Sequence, residues 1–365
     1  METTAIPEPV IPGRRSAIQC HRECGGGIAA VFPVHQPRAL FRAFGLLPVE
    51  VWGPPTADPA RADADLQAYT CSIVRRGLGF VQSGGLEVAD VLVVPHACDS
   101  LQGLGSVLLD LVPSGRPVLP FYLPRRDDDA GVVFLARELE ALFERLVEIT
   151  GSRPADGRLK EAIHREEAAD ALLARLHLER SALDLDDRGL YRLIRSREYL
   201  PAEDFSELAA GVLERPRRDQ RRGIPVVLSG IVPEPVAIFD VIAAAGGVVV
   251  ADDLACCGRR LYPRGSGDDP FVRLARSLLG GPPDSTRGAA VQSRLDHLRA
   301  LAERTGARAV VFLVVKFCEP ELFYLPLLRS GLDALGLRSV TLEVDIGDQL
   351  PSQAETRVQA LLETL

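Results

Sequence analysis

Eight short apolar runs, each bounded by glycine or proline and each followed by a stretch with helical spacing, constrain this chain more than any other feature. In the first half they are Gly27 to Pro33, Pro48 to Gly53, Ala89 to Pro95 and Pro117 to Leu123; in the second, Ile224 to Gly230, Gly247 to Asp252, Ala307 to Val315 and Ser339 to Asp345. Near-continuous hydrophobicity suits strands covered on both faces, and strand-helix alternation predicts an α/β fold with mostly parallel sheets. The halves also resemble each other. VFPVHQPRALFRAFGLLPVEVWG and VLSGIVPEPVAIFDVIAAAGGVVVADD both read strand, proline-containing loop, helix, strand. Later, VLVVPHACDSLQGL and VVFLVVKFCEPELFYL each place a cysteine just past a buried strand, with Asp99 or Glu319 next. This internal repeat predicts two similar α/β lobes.

Between the repeats the sequence turns charged and helical, with opposite charges four residues apart, as expected of a linker or cap. The expected organisation is an N-terminal extension (1–25), a first α/β lobe (26–126), a helical linker or cap (127–222) and a second α/β lobe (223–365). A length of 365 residues accommodates this, and 47% hydrophobic residues supply a core. The net charge of −8 offers no electrostatic footprint for nucleic acid or an anionic membrane. No apolar run approaches the roughly 18 residues that span a bilayer. The opening residues lack the apolar segment of a secretory signal.

Seven cysteines, Cys20, Cys24, Cys71, Cys98, Cys256, Cys257 and Cys318, are scattered along the chain. An odd, dispersed set does not make a disulfide framework, so the expected compartment is the reducing cytoplasm. In open parallel sheets ligands bind beyond the carboxyl ends of the strands. Cys98 and Cys318 occupy such ends, one per lobe, and Cys71 lies at a helix start before the Cys98 strand. Thiolates converging in an interlobe cleft would make a soft-metal site. Structural zinc sites usually show short Cys-x2-4-Cys pairs, which these three positions lack, so a cluster built from distant ligands fits better. Three inert, partly buried thiols are the alternative. A cubane iron–sulfur cluster normally takes four cysteines, so three would leave one iron open.

LQAYTCSIVRRGL, VPHACDSLQGL, ADDLACCGRRLY, VKFCEPELF and the closing QAETRVQALLE resemble, in order, segments of the benzoyl-CoA reductase/2-hydroxyacyl-CoA dehydratase family. The combination of Cys71-x-x-x-Arg75, His96-x-Cys98-Asp99-Ser100 and Lys316-Phe317-Cys318-Glu319-Pro320 is distinctive. The resemblance implies two flavodoxin-like or Rossmann-like lobes with parallel sheets, a [4Fe-4S] cluster held by Cys71, Cys98 and Cys318, and an acyl-CoA substrate. It also implies a homologous second subunit or a homodimer, and a separate ATP-hydrolysing iron–sulfur activator. The implied chemistry is one-electron reduction of the thioester to a ketyl radical with loss of a 2-hydroxyl, or reduction of an aromatic ring. No P-loop spacing occurs, so ATP would be handled elsewhere.

Around this core, Arg75 and Lys316 are candidates for stabilising reduced states or holding a CoA phosphate, with ordinary ion pairs as the alternative. His96 is a candidate donor to a cluster sulfide or a structural histidine, and Cys256 a second-layer thiol or a packed one. Glu50 and His35, at the ends of the first two strands, are candidate acid/base groups. Cys20 and Cys24 fail the radical-enzyme spacing. Gly25 to Gly27 precede a strand instead of following one, unlike a dinucleotide fingerprint. Two further readings remain: a non-catalytic two-lobed binding or helper protein, and an ATP-dependent double-cubane reductase, which would need about twice as many cluster thiols.

Overall fold

The computed structural model describes residues 9–112, 114–217, 222–347 and 349–365; the first eight residues of the expected N-terminal extension lie outside this set. Helix α1 (Arg14–Glu23) leads into β1 (Gly27–Val31), α2 (Arg38–Ala43), β2 (Leu46–Glu50), α3 (Ser72–Gln82), β3 (Val91–His96), α4 (Asp99–Asp110) and β4 (Val118–Tyr122). Four helices follow: α5 (Asp129–Thr150), α6 (Arg158–Glu179), α7 (Asp187–Ser196) and α8 (Ala202–Leu213). The second lobe comprises β5 (Ile224–Gly230), α9 (Ile238–Ala244), β6 (Gly247–Leu254), α10 (Pro270–Leu279), α11 (Val291–Thr305), β7 (Ala309–Val315), α12 (Glu319–Ala334), β8 (Arg338–Val344) and α13 (Gln353–Glu363).

Each lobe carries a four-stranded, all-parallel sheet, ordered β2-β1-β3-β4 in one and β6-β5-β7-β8 in the other. The two orders are the same when strands are counted within each lobe, so the sequence repeat is also a topological one. All eight expected strands form. β2 begins two residues earlier than expected, at Leu46, because Gly45 takes the left-handed conformation (φ 73°) that ends α2 and turns the chain. Pro48 is tolerated inside β2 because that strand lies at the sheet edge.

The order matters for function. In each sheet the chain reverses its winding between the first and third strands, where open α/β sheets leave a crevice for ligands. β3 and β7 both end beside such a crevice, and they deliver Cys98 and Cys318 respectively.

One hydrophobic core joins the lobes. It contains Ile28 and Ala30 of β1, Leu78 of α3, Leu176 of α6, Leu190 of α7, Phe205 of α8, Leu228 of β5 and Val311 of β7. The opposite face of the first sheet packs on α2, α5 and α10, with Leu139, Leu146, Leu274 and Leu278 interleaved. The opposite face of the second sheet packs on α11 and α12. Among the described residues no helix is long and apolar enough to cross a membrane.

Candidate functional site

Three cysteines occupy equivalent local positions on three helices: Cys71, Cys98 and Cys318 are the N-cap residues of α3, α4 and α12. A helix N-terminus presents unpaired backbone N–H groups and a partial positive charge, which favours an anionic sulfur. The amides of Ile73 and Val74 bear on the Cys71 sulfur, and those of Ser100 and Leu101 on Cys98. Phe317, immediately before Cys318, adopts the left-handed conformation (φ 61°), an uncommon state for a bulky residue that fixes the approach of Cys318 to α12.

The Cys71 and Cys318 thiols interact across the seam between the lobes. That contact lowers the pKa of Cys71, against the effect of burial, and raises Cys318 well above the ordinary thiol value. Cys98 completes the group: it interacts through charge with both neighbours, and burial pushes its own pKa up to about 12. The first turn of α3 is stitched to the second lobe. Ser72 N–H donates to the Lys316 carbonyl at 3.3 Å, and Lys316 N–H to the Val344 carbonyl at 2.8 Å. The Arg76 guanidinium pairs with Asp345 at 3.2 Å while also donating to the carbonyls of Pro55 and Ala57. Gly53 is required where β2's exit loop meets α3. It has φ 69°, and a Cβ there would stand 2.5 Å from the Ile73 carbonyl oxygen.

Ser72, which follows Cys71 in the chain, is buried, and its Oγ has no hydrogen-bond partner. Among the described residues no three or more His, Cys, Asp or Glu side chains stand close enough to enclose a single metal ion. A cubane cluster makes a different demand, since each thiolate binds a different iron and the sulfurs need not meet at one point. Three thiols at three helix N-termini fit that donor set.

A family model described as 2-hydroxyglutaryl-CoA dehydratase, D-component, matches residues 33–365, the stretch that contains all three of these cysteines. The chain belongs to this family. The (R)-phenyllactyl-CoA dehydratase beta subunit of Clostridium sporogenes is 25% identical, covering 98% of this chain and 96% of that protein. Lactoyl-CoA dehydratase subunit beta of Anaerotignum propionicum is 26% identical over 94% and 93% of the two chains. A benzoyl-CoA reductase subunit of Thauera aromatica is 28% identical over 83% and 81%.

The other candidates from the sequence are engaged in different ways. Arg75 forms an ion pair with Asp63 and donates to the Ala68 carbonyl at 3.4 Å. Lys316 is exposed, with its ammonium 5.4 Å from the Phe317 ring centroid. His96 packs edge-on against Tyr122, and burial lowers its pKa. Its Nε2 has no partner and faces Gly105, where a Cβ would approach within 2.6 Å. Cys256 is buried with its sulfur 3.2 Å from that of Cys257. Glu50 is closed by three donors: Gln36 Nε2, Trp52 Nε1 at 2.9 Å and Arg260 Nη2 at 2.5 Å.

His35, like Val34 before it, takes a left-handed backbone conformation (φ 55°) in the loop between β1 and α2. Its ring spans from the Tyr262 hydroxyl, 3.2 Å from Nδ1, to Thr286 Oγ1, 3.3 Å from Nε2. Burial lowers its pKa to about 4; Asp284 pulls the other way, and Arg287, Arg260 and Arg259 add to the lowering.

Sequence reasoning missed the charged network behind α12. Glu321, one turn past Cys318, receives Arg259 at 2.8 Å, Arg294 at 3.2 Å and the Ser285 hydroxyl. Arg259 and Arg294 also share Asp253, at 3.0 and 2.6 Å. Burial would raise the Glu321 carboxyl, but the two guanidinium groups outweigh it and hold the pKa at about 2. The available signal was the second acid of Cys318-Glu319-Pro320-Glu321.

Proposed function

We propose that this chain is the cluster-bearing subunit of a two-component enzyme of the 2-hydroxyacyl-CoA dehydratase or benzoyl-CoA reductase type, holding a [4Fe-4S] cluster through Cys71, Cys98 and Cys318. The observation that carries this reading is the convergence of three N-cap thiols from both lobes on one seam. Such a cluster supplies single electrons at low potential for an acyl-CoA thioester.

The chain's own residues perform the supporting work. Three helix N-termini offset negative charge on the sulfurs, the Ser72 hydroxyl is available to donate, and Arg76 with Asp345 fixes the distance between the lobes. Glu321, locked between Arg259 and Arg294, holds the base of α12 and hence the direction of Cys318. By the same reading the chain works with a homologous partner subunit and a separate ATP-hydrolysing activator, as the two-subunit relatives suggest.

A second reading, an electron-relaying helper whose partner holds the substrate, is favoured by the closure of Glu50 by Arg260, Gln36 and Trp52. That carboxylate is committed to the scaffold.

Anaerobic purification under iron-replete conditions tests the proposal. The expected product is brown, with about four irons per chain; a colourless, iron-free protein overturns the cluster reading. Cys318→Ala should lose the iron while retaining the fold by circular dichroism, and Cys20→Ala should retain both. Equal loss in Cys20→Ala would refute the ligand assignment. Binding of acyl-CoA to the isolated, cluster-loaded chain separates the two readings, since a helper would show none.

A further inference from the structure

Between α1 and the first sheet lies a cavity of about 860 Å³, within the size range of small-molecule sites. Its floor is Ile28 and Ala30 of β1 with Val49 and Val51 of β2 and its exit, alternate residues that a strand turns to one side. The cavity exists because α1 covers this floor poorly. Ala17 is the only buried residue of that helix, while Arg14, Arg15, Ile18, Gln19 and Arg22 line the cavity from one helix face. The space is elongated. Arg14 reaches the Glu50 carbonyl at one end and Arg22 the Val88 carbonyl at the other, and the helix axis advances about 12 Å between these two arginines.

The charges around the cavity specify what an occupant must offer. Four arginines border it, and three are matched: Arg14 by Glu198 at 2.9 Å, Arg22 by Asp90 at 2.8 Å, and Arg195 by Glu234 at 2.6 Å as well as by Glu198. The Glu50 carboxylate, also in the lining, is closed by Gln36, Trp52 and Arg260. Arg15 is left over. It is exposed, and among the described residues it has neither a hydrogen bond nor an ion pair. The cavity thus combines one uncommitted positive charge on its solvent side with an aliphatic floor. Water is a poor occupant of such a floor, since an ordered water needs two to four polar partners and these side chains offer none.

We propose that this cavity binds an elongated hydrophobic monocarboxylate of the fatty-acid class, with its carboxylate at Arg15 and its tail laid along the β1 and β2 floor towards Leu86 and Val88. The tail supplies the affinity: each methylene taken out of water tightens binding by about fourfold. Arg15 selects the sign of the head group, and as an exposed partner it adds only a few-fold. Bound there, the ligand completes the apolar contact that α1 itself does not make with the sheet. None of Cys71, Cys98 and Cys318 lines the cavity, so the site goes beyond the proposed enzymatic role and its test needs no cluster.

Isothermal titration and Trp52 emission of the full chain at neutral pH, with every ligand below its micelle concentration, test the proposal. Trp52 lines the cavity and is the chain's one tryptophan, so it reports occupancy directly. Decanoate should bind one per chain and change the emission saturably, octanoate should bind about tenfold more weakly, and acetate should not bind. Arg15→Gln should weaken decanoate by about two- to fivefold and leave decanol unchanged. Ala30→Phe, which places a ring in the cavity from its floor, should abolish binding of both. Should that variant not fold, the Arg15→Gln comparison decides, because that side chain is exposed. Absence of saturable decanoate binding overturns the proposal. So does decanol binding as tightly as decanoate, or unaltered decanoate binding in Arg15→Gln or in folded Ala30→Phe.

Discussion

His35 is held as a neutral imidazole by its surroundings. Its folded pKa of about 4 lies below the unfolded value of 6.5, so between these limits the unfolded chain binds more protons. Stability contributed by this group is therefore complete above pH 6.5 and is lost progressively as the pH falls to 4, by about 3 kcal/mol in all. Urea unfolding across that range should show the loss, and His35→Gln should flatten the profile. A slope unchanged in His35→Gln would show that other groups carry it. Glu321 acts lower on the scale. Its pKa of about 2 means that its contribution persists until the pH drops below the ordinary glutamate range. Removing it with Glu321→Ala leaves Arg259 and Arg294 sharing Asp253, with Asp284 3.5 Å from Arg259 as a further carboxylate, at an expected cost of about 3–5 kcal/mol.

Helix starts rather than whole helices build the candidate site. Gly53→Ala should push the first turn of α3 away from the β2 exit loop, because the added carbon meets the Ile73 carbonyl and the Arg76 side chain. The expected cost is about 1–3 kcal/mol in chemical denaturation, with a matching loss of iron under the cluster reading. The strands and the cysteines at their ends were legible in the sequence because each carries its own local pattern: a continuous apolar run such as Val310 to Val315, then a turn, then a helix. The meeting of Cys71 with Cys318 was not legible from spacing alone. What brings them together is a bond from Ser72 to the Lys316 carbonyl and an ion pair from Arg76 to Asp345, between residues far apart in the chain. Arg197, Arg259 and Arg294 are among the largest fully buried side chains, and nothing in their sequence context marks them as buried. Charge type alone carries no information about burial until the partners are known.

At the scale of the molecule, two sheets share one core that runs from Ala17 of α1 to Leu362 of α13. The middle helices supply much of it, so neither sheet has a complete apolar cover of its own. Heat or denaturant should therefore give a single transition, with helical signal and seam-specific signal lost together. Two separated transitions would show that the lobes are energetically independent.

The chain contains one tryptophan, and its position turns that scarcity into an advantage. Trp52 donates its indole N–H to Glu50 and lies beneath the Arg195 guanidinium, 5.6 Å from the ring centroid, where the β2 exit loop meets α7. Indole emission thus has a single origin. Parting of the first lobe from the middle helices would expose that ring to water and shift its colour to the red, so the wild-type protein carries its own optical gauge of that interface, with no label to attach.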